Sequence, residues 1–395
     1  MVTSRSGKLC RLFRSSKINM DKVSRKTFLR QSTALLAGSS LLMGACASEA
    51  KTEKQSGPQI ISGKAIKWKM CTTWPAGFPV LGEGAVKFAE MVNMMSGGRL
   101  TIEVYGDKEL VPAFELFDAV SVGAIEMGSG ASYYWAGRVP KAQFFATVPF
   151  GMNAQMMNSW LLCGGGQEMW DKVYEPFDLK AFPGGNTGVQ MGGWFNREIK
   201  TLDDLQGLKM RIPGLGGKVM SRAGVTAMAV AGSEVFTNLE RGVLDATEWI
   251  GPYHDYLMGF HKIAQYYYYP GWHEPGTTLE LIVNRRLYQE LPQDLQQIVA
   301  MAAQWINVWT LSEFEARNAE YLQKILSEAN VQLKAFPKAI TDQLRIYTEE
   351  VVQEPADSDA EARQIYDSYR DFQTKGLAWS KLTERAYFNY IRPEA

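Results

Sequence analysis

The chain has 395 residues, matched numbers of acidic and basic side chains, and a formal net charge of zero. That balance excludes the basic excess a nucleic-acid binder carries, so no nucleic-acid partner is expected. A hydrophobic content of 46% is ample for a sizeable core, and the length suggests about two domains.

Residues 1–45 read as an export signal, with Met20 as an alternative start. A basic region (Lys22, Arg25, Lys26, Arg30) precedes an apolar run from Ala34 to Ala45, too short and too rich in Ser and Gly for a membrane span. SRKTFLR resembles a twin-arginine signal in which Lys26 replaces the second arginine, and Met43-Gly44-Ala45-Cys46 resembles a lipoprotein box that makes Cys46 the lipid-bearing first residue of the mature chain. The polar stretch 46–64 then serves as a tether. Such a chain is periplasmic. Of the remaining cysteines, Cys71 and Cys163 could pair there, or stay as buried free thiols.

From residue 65 the pattern alternates. AIKWKMCTTW reads as a strand, LGEGAVKFAEMVNMM as a helix stopped by Ser96-Gly97-Gly98, RLTIEVYG as a strand, AFELFDAVSVGAI as a helix, and EMGSGA as a short strand into a turn. This β-α-β-α-β order predicts a mostly parallel sheet. A second unit opens with GVQMGGWFN as a strand; TLDDLQG, LKMRIPG, GGKVMSRAG and SEVFTNLERGVLDATEW continue it. Two α/β lobes follow, 65–187 and 188–275, each completed by part of 276–345. Pro292 opens a helix whose apolar residues repeat at three and four to Glu328; its roughly 36 residues would span about 54 Å, enough to run along both lobes. The segment 346–395 is a C-terminal helical extension, with an aromatic stripe (Tyr366, Tyr369, Phe372, Trp379) that either packs on the chain's own core or forms a dimer surface.

The chemistry is bounded by what is missing. No nucleophile elbow, phosphate loop or dinucleotide fingerprint occurs. His254, His261 and His273, all the histidines of the chain, fall within one segment with Glu248 and Glu274. They could build a metal-dependent enzyme, although no two-histidine zinc spacing is present. Arg211 ends an apolar strand between Met210 and Ile212, before Pro213-Gly214, where its guanidinium fork can face a crevice and meet a carboxylate. Glu248 beside Trp249 and Glu274 before Pro275 offer carboxylates of the kind a hard cation takes, and Gln190 adds a donor and an acceptor.

GVQMGGWFN, TLDDLQGLKMRIPG, LERGVLDATEWIGPYHD and YYYYPGWHEPG together resemble the solute-binding subunits of tripartite ATP-independent periplasmic (TRAP) transporters of the DctP type, in the subgroup that binds 2-oxo acids or lactate. The resemblance implies a periplasmic-binding-protein-like α/β fold, two lobes around a ligand cleft with a long bridging helix, and no catalysis. It implies that Arg211 holds the substrate carboxylate. Glu248, Trp249 through its carbonyl, Glu274 and Gln190 would hold Na⁺ or Ca²⁺, Gln190 also touching substrate. Trp249 and Trp272 would wall the pocket, and Trp74, Phe78 and Tyr133 would close over it. The partners implied are a small monocarboxylate, the membrane permease subunits, and a second copy through the C-terminal helix. Another carboxylate (a dicarboxylate or a sugar acid), a metal enzyme and a sensory lipoprotein remain as alternatives. AGSEVF at 231–236 departs from the glycine- and proline-rich turn usual in the family.

Overall fold

The computed structural model describes residues 65–391 except Ala329. The export signal, Cys10, Cys46 and the tether lie outside the described residues. Among the described residues no helix is long and apolar enough to cross a membrane.

The first lobe is a 5-stranded sheet in the order β2-β1-β3-β10-β4, built from β1 (Ile66–Thr72), β2 (Leu100–Tyr105), β3 (Met127–Gly130), β4 (Leu179–Asn186) and β10 (Thr278–Asn284). β1, β2 and β3 are parallel, while β10 inserts antiparallel between β3 and β4. Alternation along β1 decides its two faces. Trp68 and Met70 enter one apolar cluster with α1 (Leu81–Met95), and Cys71 enters another on the opposite face. Helices α2 (Leu116–Ser121), α3 (Ala154–Cys163) and α4 (Gly166–Tyr174) supply that second face. Cys71 and Cys163 are both free; Cys71 is buried, but Cys163 ends α3 at the surface, contrary to the expectation of a buried thiol.

The second lobe is a 6-stranded sheet in the order β11-β9-β5-β8-β6-β7. Its strands are β5 (Gly193–Phe195), β6 (Lys209–Arg211), β7 (Thr226–Met228), β8 (Ala246–Thr247), β9 (Tyr266–Tyr269) and β11 (Gln332–Ala335). Only the last part of GVQMGGWFN is strand; residues 188–192 are the connection between the lobes. Around the sheet run α5 (Gly214–Arg222), α6 (Gly232–Glu240) and α7 (Pro252–Met258).

After α8 (Arg285–Glu290), helix α9 (Gln293–Glu328) runs along both lobes. Leu295, Val299, Ala302 and Ile306 pack in the first lobe's core, whereas Phe314 and Ile325 join the cluster between the lobes. α10 (Lys338–Ser358) lies on α5 of the second lobe, and α11 (Ala360–Leu382) lies on α3 and α4 of the first. The aromatic stripe divides here. Tyr366 and Tyr369 are buried in the chain's own core and Phe372 packs partly against it, while Trp379 is exposed by 66%, as are Phe388 and Tyr390 beyond the stripe by 64% and 80%.

One fully buried carboxylate belongs to the fold. Glu280 on β10 accepts from the Trp135 indole and, at 2.8 Å, from the Tyr174 hydroxyl, with no cation against it among the described residues. Burial pushes its carboxyl up to about 7 from an ordinary 4.5. Between those values the folded protein keeps a proton that the unfolded chain has released. This group's contribution to stability therefore falls as pH rises through the window and levels off above it. Glu280→Gln should flatten the rise in melting temperature seen by calorimetry on acidifying from about pH 8 to about pH 5; a slope equal to the parent's would refute the assignment.

Candidate functional site

Two segments cross between the lobes side by side, 187–192 from β4 to β5 and 270–277 from β9 to β10. They are bonded to one another: Thr187 N–H donates to Thr277 O (3.0 Å), Gln190 N–H to Glu274 O (3.2 Å), and Gly271 N–H to Gln190 O (2.7 Å). A Cβ on Gly271 would lie 2.4 Å from that Gln190 oxygen, so only glycine permits the approach. These paired crossings form the floor of the cleft and carry Gln190, His273 and Glu274.

The parallel strands β6 and β8 end together above this floor, with Arg211 opposite Thr247. Glu248, the next residue, therefore emerges beside Arg211. Arg211 is 2% exposed and Glu248 1%. Arg211 Nη1 donates to Glu248 Oε1, its Nε donates to Val230 O (3.2 Å), and its guanidinium sits 4.9 Å from the centre of the Trp249 ring. Burial works against the Arg211 charge, but Glu248 and the neighbouring tyrosines outweigh it and hold its pKa above the ordinary value.

Glu274 is 3% exposed and accepts at Oε2 from Gln190 Nε2 (2.7 Å) and Thr277 Oγ1 (2.6 Å). Burial first, and then the charge of Glu248, push its carboxyl up. Glu248, His273 and Glu274 offer one donor atom each, all within 4.8 Å of one another. Gln190 Oε1 and His273 Nδ1 are buried with no partner among the described residues. A buried acceptor without a donor is costly, and a cation would satisfy it. Two carboxylates and an amide oxygen are the hard oxygen donors that Na⁺ or Ca²⁺ takes, so these residues fit such an ion.

The first lobe supplies the roof. Trp74, Tyr133 and Tyr134 meet Gln190, Arg211 and Trp249 around a space of about 20 Å³, on the scale of one water position. The Trp74 indole N–H is buried and unpartnered. Two of the residues expected at the pocket stand back from it. Phe78 packs edge-on against Trp249 (6.1 Å) and His254 (4.6 Å) behind the cavity wall. Trp272 stacks on Phe150 (5.5 Å) and belongs to the apolar core. The histidines also separate. His273 joins the carboxylates, His254 lies behind Trp249, and His261 stacks on Tyr256 (4.5 Å) at the outer surface. Sequence reasoning missed Tyr134, Thr187 and Thr277. The Tyr133-Tyr134 doublet in a tight helical turn (Ser132–Trp135) was the one available signal.

At the rim Ser233 Oγ donates to Asp107 Oδ2 (2.7 Å) and Lys108 pairs with Glu234 (2.7 Å), joining second lobe to first. Both partners come from AGSEVF. A Cβ on its Gly232 would lie 2.6 Å from the Trp249 ring, so this turn keeps a glycine where the Trp249 side chain passes.

The profile of the DctP family, described as Bacterial extracellular solute-binding protein, family 7, matches residues 70–359. A monocarboxylate 2-oxoacid-binding periplasmic protein of Nostoc sp. is 41% identical over 325 residues, covering 82% of this chain and 89% of that protein. The TRAP periplasmic solute-binding protein of Pseudoalteromonas atlantica, solved with bound sodium and pyruvate, is 41% identical with a TM-score of 0.81, over 83% of this chain and 99% of that one. That of Colwellia psychrerythraea, solved with bound calcium and pyruvate, is 42% identical with a TM-score of 0.80, over 82% and 99%.

Proposed function

The chain belongs to the DctP family of bacterial extracellular solute-binding proteins, and from that membership we propose that its cleft holds a small 2-oxo monocarboxylate such as pyruvate together with one Na⁺ or Ca²⁺, for delivery to a TRAP membrane permease. The family consists of binding proteins and not enzymes, and its place is outside the cytoplasm. The observation that carries the proposal is the buried Arg211–Glu248 pair beside Glu274 and Gln190.

The physical reason is charge balance. Arg211 and Glu248 neutralise one another inside a dry site, where a lone charge is expensive. On loading, each exchanges the other for a partner of the same sign: Arg211 takes the acid's carboxylate through its fork, and Glu248 with Glu274 takes the cation. The Arg211 and Glu248 charges are thereby partnered in either state. Gln190 Oε1 and the Trp249 carbonyl complete the cation's oxygen set. The Trp74 indole, Tyr133 and Tyr134 offer donors to the rest of the acid. The tight enclosure favours an acid of a few non-hydrogen atoms over a sugar acid, and a single arginine at the site favours one carboxylate over two.

Export through the twin-arginine-like signal and anchoring through Cys46 complete the proposal at the N-terminus. At the other end, the exposed Trp379, Leu382, Phe388 and Tyr390 form an apolar surface that a second copy would cover.

Calorimetry on dialysed protein with pyruvate, lactate, 2-oxobutyrate and succinate, each with and without Na⁺ or Ca²⁺, tests the central claim. Pyruvate or 2-oxobutyrate should bind only when a cation is present, and binding that ignores the cation would overturn it. Arg211→Ala should weaken that binding by about a hundredfold or more, with Arg211→Lys recovering part of it, because the ammonium keeps the charge and loses the fork. Undiminished affinity in Arg211→Ala would assign the carboxylate to another group. Sedimentation should give a dimer for the parent chain and a monomer for the double substitution Trp379→Glu, Phe388→Glu; identical masses would exclude this surface.

A further inference from the structure

Behind the cation-facing side of Trp249 lies a second buried contact that the binding proposal leaves unused. The Trp249 indole Nε1 donates to His254 Nδ1 at 2.6 Å, and His254 Nε2 meets Pro79 O at 2.6 Å. Trp249 and His254 belong to the second lobe, whereas Pro79 belongs to the loop that leads from β1 into α1 in the first. His254 is 0% exposed.

The chemistry of the three groups leaves a single arrangement. An indole N–H can only donate and a backbone carbonyl can only accept. The imidazole between them must accept at Nδ1 and carry its proton at Nε2, which is the neutral ring in one tautomer. Burial, which pushes the His254 pKa down to about 4, keeps the ring neutral. The imidazole lies parallel to the Trp249 ring, 6.0 Å away and 3° from coplanar orientation, and it is met edge-on by Phe78 (4.6 Å) and Phe314 (5.7 Å). Its orientation is therefore fixed from the first lobe, the second lobe and α9 together.

The neighbouring residue shows which side of the contact is rigid. Asp255 accepts from Trp194 Nε1 (2.9 Å) and Tyr267 O–H (2.7 Å) at Oδ2, and from Ile250 N–H (3.3 Å) at Oδ1. The first turn of α7 is thereby tied to β5 and β9 of its own lobe. Asp255 anchors the turn, and His254 reaches out from it. On the far side, Val80 follows Pro79 with a φ of 58°, a left-handed backbone that a β-branched residue rarely adopts. The first-lobe loop is thus held in an unusual shape at the residue after the accepting carbonyl.

We propose that His254 is a cross-cleft relay: it ties the tryptophan that borders the bound acid and cation to the Pro79 carbonyl of the facing lobe, so that seating Trp249 and closing the lobes become one event. This rests on the reading of the cleft as the ligand site. His254 is a positioning residue, since it acts through Trp249 and Pro79 and touches neither ligand nor cation. Opening the cleft breaks the contact to Pro79 and leaves the relay to water. Replacing the ring leaves the Trp249 N–H and the Pro79 carbonyl unsatisfied in the closed state alone, so the loss falls on closure.

The test uses spin labels at Met94 and Val243, both exposed, one on each lobe, in a Cys163→Ser background. Distance distributions are recorded with and without pyruvate plus Ca²⁺, alongside stopped-flow dissociation of pyruvate. His254→Ala should keep the cation requirement, release pyruvate about tenfold faster and lower the closed population at saturation. His254→Gln supplies one acceptor and one donor, and should restore both readouts to within about threefold of the parent. Unchanged dissociation and closure in His254→Ala would overturn the relay. So would a His254→Gln variant as defective as His254→Ala, because only packing would then be at stake. A parent that binds none of the acids defeats the functional proposal alone, while the label distances still judge the relay. A closed population missing from the parent under every condition defeats the relay as well.

Discussion

A guanidinium buried to 2% exposure and facing a carboxylate buried to 1% sets the terms for everything around it. Neither charge tolerates a dry interior alone, and breaking such a pair strands its partner at a cost of about 3–5 kcal/mol. The chain meets this constraint with topology. β6 and β8 are parallel neighbours, so the residues that follow them leave the sheet together and on the same side. Arg211 and Glu248 are 37 residues apart in sequence, yet they are brought face to face by strand register alone. The cleft then lies off the carboxyl ends of these strands, where open α/β sheets hold their ligands.

The second consequence concerns motion. The floor residues Gln190, His273 and Glu274 sit on the crossings that join the lobes, and those crossings are hydrogen-bonded to each other. On the proposed function, a ligand held there would bear on the two segments that join the lobes. The roof residues Trp74, Tyr133 and Tyr134 come from the first lobe, and Arg211, Glu248 and Trp249 from the second. On the proposed function, closing the lobes would assemble the full set of contacts, and the set of contacts would stabilise closure, as a population shift requires. The rim pairs Asp107–Ser233 and Lys108–Glu234 are solvent-exposed and contribute little apiece. The buried contacts near Trp249 carry more weight because water cannot replace them in the closed state.

Much of this was legible in the residues. The helical period of α9 ran unbroken from Pro292 to Glu328, because both lobes present apolar surface to one continuous stripe. The alternation of strands and helices gave two α/β units. Arg211 stood out because a permanent cation between Met210 and Ile212 has no place in an apolar strand unless something receives it. What stayed hidden depends on contacts far apart in sequence. That β10 returns to the first lobe and inserts antiparallel cannot be read from TLELIVN, since a fully buried strand has the same composition in either sheet. Tyr134 escaped because a turn of three residues sets adjacent side chains about 120° apart, which lets both tyrosines reach one cavity, where a strand would oppose them. Trp272 misled because the turn it shares with His273, closed by Glu274 N–H donating to Gly271 O, sends its ring onto Phe150 and into the core, away from its sequence neighbours.

The crowding of histidine, tryptophan, tyrosine and carboxylate between residues 245 and 276 has a single physical cause. This segment has to satisfy three surfaces at once: the cleft between the lobes through Glu248, Trp249 and Glu274, its own sheet through Asp255 with Trp194 and Tyr267, and the facing lobe through His254. An apolar segment could pack against any of these, but apolar packing is non-directional and would tolerate sliding between them. Hydrogen bonds between groups that can only donate or only accept admit one register. The polar-aromatic density therefore reflects a requirement for angular precision where the two lobes meet around the cleft. The carboxylate of Asp255 is matched to fixed partners within its own lobe, whereas Gln190 Oε1 and the Trp74 indole N–H, which meet this segment across the cleft from elsewhere in the chain, have no partner among the described residues.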